Sequence, residues 1–233
     1  MSYIPTMGSL FSGIGGFEIS AQRYGAKVLW QSEIEPWAVQ LLQKRFPDAI
    51  QLGDIQNISG FEIPQVDFIT FGSPCQDMSV AGKRAGLGGE RSGLFRQAVK
   101  IIKEMREATN GEYPKYIIWE NVPGALSSNK GADFRTVLEE ITETEIPMPQ
   151  SGRWANSGMV RGGQCDVSWR ILDAQYWGVP QRRKRIYLVG DYRKQCSAEI
   201  LFKPESLFRD ITESCKTGER TPEYVKESIG TTS

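Results

Sequence analysis

The sequence predicts an α/β fold, a doubly wound and mostly parallel sheet with helices on both faces. Three observations carry that prediction. Short apolar runs alternate with amphipathic stretches along most of the chain, the β-α-β-α order of a parallel sheet. Glycine-rich and acidic segments fall just after the apolar runs, where open sheets of this kind place their chemistry. The length of 233 residues suffices for one large domain with an ordinary core.

The elements follow in order. Met7–Phe11 reads as the first strand, and a turn with Gly13, Gly15 and Gly16 leads into a helix over Phe17–Tyr24. Lys27–Gln31 is the second strand, and Pro36 suits the first turn of a helix over Pro36–Arg45. A third strand is read just before Asp54, and a fourth over Val66–Phe71. Leu94, Phe95, Ala98, Ile101, Ile102 and Met105 recur near helical spacing, which predicts a helix over Gly93–Thr109. Tyr116–Trp119 is a strand, Phe134–Glu143 a helix, and Ser168–Leu172 and Ile186–Val189 are strands. From Thr144 to Gly163 prolines and glycines break the pattern, and a surface excursion is expected. After Asp191 the rhythm is lost, and "ESCKTGERTPEYVKESIGTTS" is expected to be a weakly ordered tail.

Composition narrows the chemistry. Hydrophobic content of 39% and charged content of 24% are those of a soluble globular protein. No apolar run approaches the ~18 residues of a membrane span, so no membrane contact is expected. The start, "MSYIPTMGSLFSGIGG", lacks the pattern of a signal peptide. Cys75, Cys165, Cys196 and Cys215 show neither metal spacing nor a disulfide framework, which favours a reducing, cytoplasmic setting. There is no histidine, which excludes Ser-His-Asp and Cys-His pairs and argues against catalytic zinc. No metal is expected. The formal net charge is +0, so only local clusters can speak for or against nucleic acid.

The turn "FSGIGG" spans Phe11 to Gly16 and includes Ile14. Its glycines permit positive φ and close approach of a ligand, and the helix that follows offers unpaired N–H groups. A tight structural turn is the plain alternative. Glu33 closes the second strand about 20 residues on, where an acid accepts ribose hydroxyls. Asp54, in "GDI", closes the third strand, within reach of an adenine amino group. Each acid alone is more often a solvated surface residue. Together they point to an adenosyl ligand. The pattern is not G-x-G-x-x-G and has no Walker lysine, which disfavours NAD and nucleoside triphosphates.

"FITFGSPCQDMSVAGKRAGLGG" places Cys75 after Pro74 at a strand end, ahead of a glycine-rich basic loop. At this point the chain resembles the DNA cytosine-C5 methyltransferases. "FSGIGG", Glu33, "GDI" at 53–55, "SPCQ" at 73–76, "GLF" at 93–95, "ENV" at 120–122 and "QRRKR" at 181–185 stand in family order, and the resemblance covers roughly Gly8 to Asp191. It implies a Rossmann-like methyltransferase fold using S-adenosylmethionine, with DNA as substrate. Phe11, Gly13, Ile14, Gly15, Gly16, Glu33, Ile34, Asp54, Ile55, Gly72, Pro74 and Leu94 are then the donor-binding residues. Cys75 is the nucleophile, Glu120 the glutamate at the cytosine ring, and Arg183 and Arg185 complete the catalytic set. Gln76, Lys83, Arg84 and Arg91 would meet nucleic acid as the loop closes over a flipped base. A buried inert thiol is the plain reading of Cys75, a capping or solvated acid that of Glu120, and a phosphate-binding or solvated cluster that of "RRKR".

On this resemblance residues 1–191 form the catalytic domain and 192–233 an extension. The family's target-recognition region and its last two motifs are not recognisable. A truncated piece, a split enzyme needing a second polypeptide, and a decayed remnant all remain open. So do methylation of cytosine in tRNA and a non-catalytic module that binds donor and stabilises a partner. The setting within restriction-modification is an expectation of the same kind.

Overall fold

The computed structural model describes residues 3–73, 93–178, 180–193 and 197–202. The elements run β1 (Thr6–Leu10), α1 (Gly16–Arg23), β2 (Lys27–Ser32), α2 (Pro36–Arg45), β3 (Ile50–Gln51), β4 (Phe68–Phe71), α3 (Gly93–Ala108), β5 (Tyr116–Asn121), α4 (Ala132–Thr142), β6 (Ser157–Arg161), β7 (Asp166–Asp173), β8 (Lys184–Asp191) and α5 (Ser197–Leu201). They build an eight-stranded sheet in the order β3-β2-β1-β4-β5-β8-β7-β6. β3 through β5 pair in parallel, and β8, β7 and β6 are antiparallel additions. From β1 the chain winds outward to β3, then returns to lay β4 on the other side of β1. That reversal opens a crevice at the carboxyl ends of β1 and β4.

Two apolar layers hold the sheet between helices. On one face Met7 and Val28 meet Leu42 and Phe46 of the α2 region, with Phe17, Ile19 and Ala21 of α1 packed against them. On the other, α3 buries Phe95, Ala98, Val99, Ile101, Ile102 and Met105, a stripe that only a helix aligns. Beside it α4 inserts Phe134 among Trp119, Trp154 and Trp169, with ring centroids 6.3, 5.5 and 5.3 Å away. Gly8 lets β2 approach β1. A Cβ there would lie 2.0 Å from the Trp30 ring, and the β1–β2 register shifts between Met7 and Gly8.

At the amino ends of the strands Asp67 ties three elements together. Its carboxylate accepts from Thr6 N and Thr6 Oγ1 at 2.7 and 2.9 Å, from Lys115 Nζ at 2.8 Å, and from the Tyr3 hydroxyl. The site therefore lies at one end of the sheet and this structural cluster at the other.

The stretch Thr144–Gly163 differs from the expected surface excursion. Part of it is β6, paired antiparallel with β7 at the sheet edge. "SGMVR" is too short and polar to announce a strand, and its anchor is remote in sequence. Trp154 Nε1 donates to the Gly131 carbonyl at 2.8 Å, and Gly158 sits where a Cβ would fall 2.3 Å from the Trp169 ring. β5 runs on through Asn121 because Glu120 and Asn121 still find partners in Tyr187 and Ile186. α5 adds one short helix beyond Asp191. The expected tail lies outside the described residues. Among the described residues no helix is long and apolar enough to cross a membrane.

Candidate active site

Three strand ends converge in the crevice. The Ser12 amide donates to the Ser32 carbonyl at 3.0 Å, which sets the turn after β1 against the end of β2. Ser32 Oγ donates to the Gly53 carbonyl at 2.7 Å, which draws in the segment after β3. Phe11 enters the turn at φ 56, a region a bulky residue occupies at a cost of about 1–3 kcal/mol. Gly15, at φ 86, has no room for a Cβ, which would lie 2.8 Å from Phe46. Gly13 and Gly16 have nothing within 4 Å of a Cβ position, so the turn offers open backbone to a ligand.

Glu33 is held by the backbone around it. One oxygen accepts the Gly13 amide at 2.7 Å; the other accepts those of Ile34 and Glu35 at 2.8 and 3.0 Å. A carboxylate has about four lone-pair sites, so it joins the turn to β2 and still keeps acceptor capacity. Asp54, an exposed residue, accepts from Gln56 N at 2.9 Å through one oxygen and caps a 3-10 turn over Ile55–Asn57. Ile55 is buried beneath, whereas Ile14 and Ile34 are exposed at the rim. Leu94, at the start of α3, is partly buried against the main core, as is Phe11.

The second half of the site is made by β5 and β8. Alternation along β5 turns Trp119 and Asn121 into the core and Glu120 the opposite way. Asn121 Nδ2 donates to the Ser73 carbonyl at 3.1 Å, and Trp119 Nε1 reaches Ser73 Oγ at 3.4 Å. These bonds fix the exit of β4 beside Glu120. Gly72 completes the approach, since a Cβ there would stand 3.3 Å from Glu120 Oε2. Opposite Glu120 is Tyr187 of β8, and Arg185 and Arg183 are two and four residues before it. Arg185 Nε lies 3.1 Å and Arg183 Nη2 3.7 Å from the same Glu120 oxygen. Burial pushes the Tyr187 hydroxyl above its ordinary range; Glu120 adds to this and the two arginines offset it.

The structure thus brings together Phe11, the glycine turn, Glu33, Ile34, Asp54, Ile55 and Gly72 at the strand ends, and Glu120, Arg183 and Arg185 beside them. Pro74, Cys75, Gln76, Lys83, Arg84 and Arg91 lie outside the described residues. Sequence reasoning missed Ser32, Asn121 and Tyr187, which hold or face the site. Asn121 was readable from its place in "ENV", but its bond to Ser73 depends on the β4–β5 pairing. No group of three or more Cys, Asp or Glu side chains able to hold a metal occurs among the described residues.

The model of the family described as C-5 cytosine-specific DNA methylase matches residues 6–229. The type II methyltransferase M.NlaIV of Neisseria lactamica is 32% identical over 94% of this chain and 49% of its own length. M.MspI of Moraxella sp is 30% identical over 94% of this chain and 47% of its own. A protein of Escherichia phage P1 named DNA N-6-adenine-methyltransferase is 34% identical over 88% of this chain and 31% of its own. The chain thus spans half or less of the length of these relatives. Among solved structures, Spodoptera frugiperda DNMT2 superposes with a TM-score of 0.57 at 22% identity, covering 82% of this chain and 51% of that one. This second likeness concerns the fold, a mostly parallel sheet with the architecture of a Rossmann-like methyltransferase. With nearly its whole length matched by the family model, the chain belongs to the C-5 cytosine-specific DNA methylases.

Proposed function

We propose that this chain is the catalytic half of an enzyme that methylates C5 of cytosine in DNA, with Cys75 as nucleophile and S-adenosylmethionine as donor. The carrying observation is the pairing of Arg185 with Glu120 at 3.1 Å, on the open face beside Gly72 and the β4 exit. Cys75 follows Ser73 by two residues, a span of at most about 7 Å.

The donor-binding residues fit an adenosyl group. Open glycine backbone, a carboxylate with spare acceptor capacity and a second acid at the next strand end suit the methionyl part, ribose and adenine in turn. When bound, the donor supplies an electrophilic methyl group on sulfonium sulfur. This chain's residues prepare the cytosine. Cys75 thiolate forms a bond to C6 while the C5–C6 π pair moves to C5. Glu120 hydrogen-bonds N3 and the exocyclic amino group as negative charge develops on the ring, and Arg185 holds O2. C5 would take the methyl group as the S–CH3 bond breaks and its electron pair returns to sulfur, releasing S-adenosylhomocysteine; the C5 proton then leaves to a base, and its electron pair expels Cys75 and restores the ring. The base must leave the duplex for its C6 to meet the thiol. Arg183 lies in the same pocket, and Gln76, Lys83, Arg84 and Arg91 contact the nucleic acid.

Target recognition is then the work of a region outside residues 1–191, on the same protein or on a second polypeptide. We therefore assign residues 1–191 to the catalytic domain and 192–233 to an extension leading toward that region, in a restriction-modification setting. The test is covalent trapping on DNA carrying 5-fluorocytosine, with this chain alone and with a recognition lobe supplied in trans. Fluorine cannot leave as a proton does, so the Cys75–C6 adduct persists. We expect a Cys75→Ser variant to trap nothing while retaining donor binding. Equal methylation by that variant would refute the nucleophile. Methyl transfer to tRNA or to adenine N6 instead would redirect the substrate, and donor binding without any transfer would leave a non-catalytic module.

A further inference from the structure

Glu18 plays no part in the donor contacts described above. It lies in the first turn of α1 and is fully buried. Its carboxyl oxygens stand near the Ser12 and Ser9 hydroxyls and its own amide, close enough to interact but outside hydrogen-bond geometry, and both side-chain amide atoms of Gln31, also fully buried, have no hydrogen-bond partner among the described residues. An unpaired buried polar atom costs roughly 1–3 kcal/mol, so a cluster of them calls for a physical reason.

The sheet register gathers these groups. Ser9 on β1 pairs with Gln31 on β2 and with Thr70 on β4, so the three side chains share one face of the sheet. Thr70 Oγ1 donates to Ser9 Oγ at 3.3 Å, which leaves the Ser9 hydrogen for another acceptor. Ser12 Oγ donates to the Ser9 carbonyl at 3.4 Å, and the Gly15 amide donates to the Ser12 carbonyl at 2.9 Å. Ser12 is thus the joint between β1 and the glycine turn, and Glu18 stands behind it. Carboxyl, carboxamide and hydroxyl groups brought together in this way are the partners an internal water uses.

We infer that Glu18 is a positioning residue for methyl-donor binding: with Gln31 paired to Ser9 on the adjacent strand, its carboxyl fixes the Ser12–Gly16 turn in the shape that receives the donor. The inference rests on the donor-binding reading above. Burial pushes the Glu18 carboxyl above its ordinary range, more than its own amide and the Ser12 and Ser9 hydroxyls pull it down, and Glu33 adds to the rise. A neutral carboxyl both donates and accepts, which suits a pocket of hydroxyl and amide groups. On the elements packed against α1, the other charged groups are Lys27, exposed at the far end of β2, and Glu33 just past its near end. Arg45 of α2 binds the Ile14 carbonyl at 2.8 Å, Tyr187 of β8 meets Phe17 edge-on, and Arg23 lies at the other end of α1. Because the folded value is raised, stability is full below the unfolded value of about 4.3 and is lost as pH rises through the folded one.

The test compares the full chain with Glu18→Gln, Glu18→Leu and Gln31→Leu. Two quantities are read: amide hydrogen exchange over residues 12–17, and calorimetric affinity for S-adenosylhomocysteine between about pH 5 and 9. In Glu18→Leu, turn amides should exchange about tenfold faster while β5 amides hold, and affinity should fall about tenfold. Gln31→Leu should shift both in the same direction. Glu18→Gln should restore both to within about threefold and remove the loss of stability with rising pH. Unchanged turn exchange in Glu18→Leu overturns the inference, whatever the affinity does. If the wild-type chain binds no S-adenosylhomocysteine, the donor reading fails, and turn exchange alone then decides whether Glu18 fixes the turn. If Glu18→Leu does not fold, an undiminished slope of stability against pH in Glu18→Gln overturns it.

Discussion

Glu33 concentrates two tasks in one carboxylate. Three backbone amides already bind it, so removing it both frees those donors and takes away the acceptor proposed for the donor's ribose. Glu33→Ala should weaken S-adenosylhomocysteine binding by about 1–3 kcal/mol, read by calorimetry. Glu33→Gln should weaken it less, since the amide oxygen still accepts. Unchanged affinity in both variants would remove Glu33 from the site. Glu120 is a sharper case. In an assembly that methylates DNA, Glu120→Ala should slow methyl transfer by roughly two to four orders of magnitude in single-turnover kinetics, with donor affinity unchanged. Glu33 and Glu120 were readable in the sequence because strand ends and neighbouring residues single them out. Glu18 was not, since within "GFEIS" an acid looks like the wet side of a helix. Its burial comes from the packing of α1 on β1 and β2, strands remote from one another in sequence.

The same contrast holds for the elements. α3 was legible because its stripe repeats over 16 residues, and it ends one residue from the expected boundary. β6 was not, because an edge strand of 5 residues shares its register only with β7. The glycines show where elements touch. A Cβ on Gly190 would lie 2.6 Å from Ile117 and 2.9 Å from Cys165 Sγ, at the seam of β8 with β5. Gly190→Val should therefore destabilise the fold by about 1–3 kcal/mol or more in urea unfolding, the cost of overpacking. Gly16→Ala, with nothing within 4 Å, should change stability little but lower donor affinity if the ligand lies against that backbone. Equal stability losses in the two variants would contradict this division.

For the whole molecule, the two ends of the sheet answer to different conditions. Burial pushes the Asp67 carboxyl up, but Lys115, Tyr3 and Thr6 outweigh it and hold it below the usual carboxylate range. A depressed folded value gives stability that is present above the unfolded value of about 3.9 and is lost as pH falls through the folded one. Lys115 is raised, chiefly by its bonds to Asp67 and Tyr3, so its share is present below about 10.4 and is lost as pH rises beyond the folded value. Lys115→Met should flatten the acid limb of stability against pH, measured by thermal unfolding. An unaltered acid limb would show that the cluster contributes nothing there. The crevice end should be indifferent to this change.

The antiparallel hairpin of β7 and β8 has a consequence for insertion and deletion. Its strands reach the crevice from opposite ends, so Arg185 is presented by the beginning of a strand and Glu120 by the finish of another. Their meeting is thus a matter of counting. One residue added between Tyr187 and Arg185 would turn the guanidinium to the far side of the sheet, whereas one added between Asp173 and Gln181 would be absorbed as slack. The chain can vary in length on one side of the arginine and not on the other.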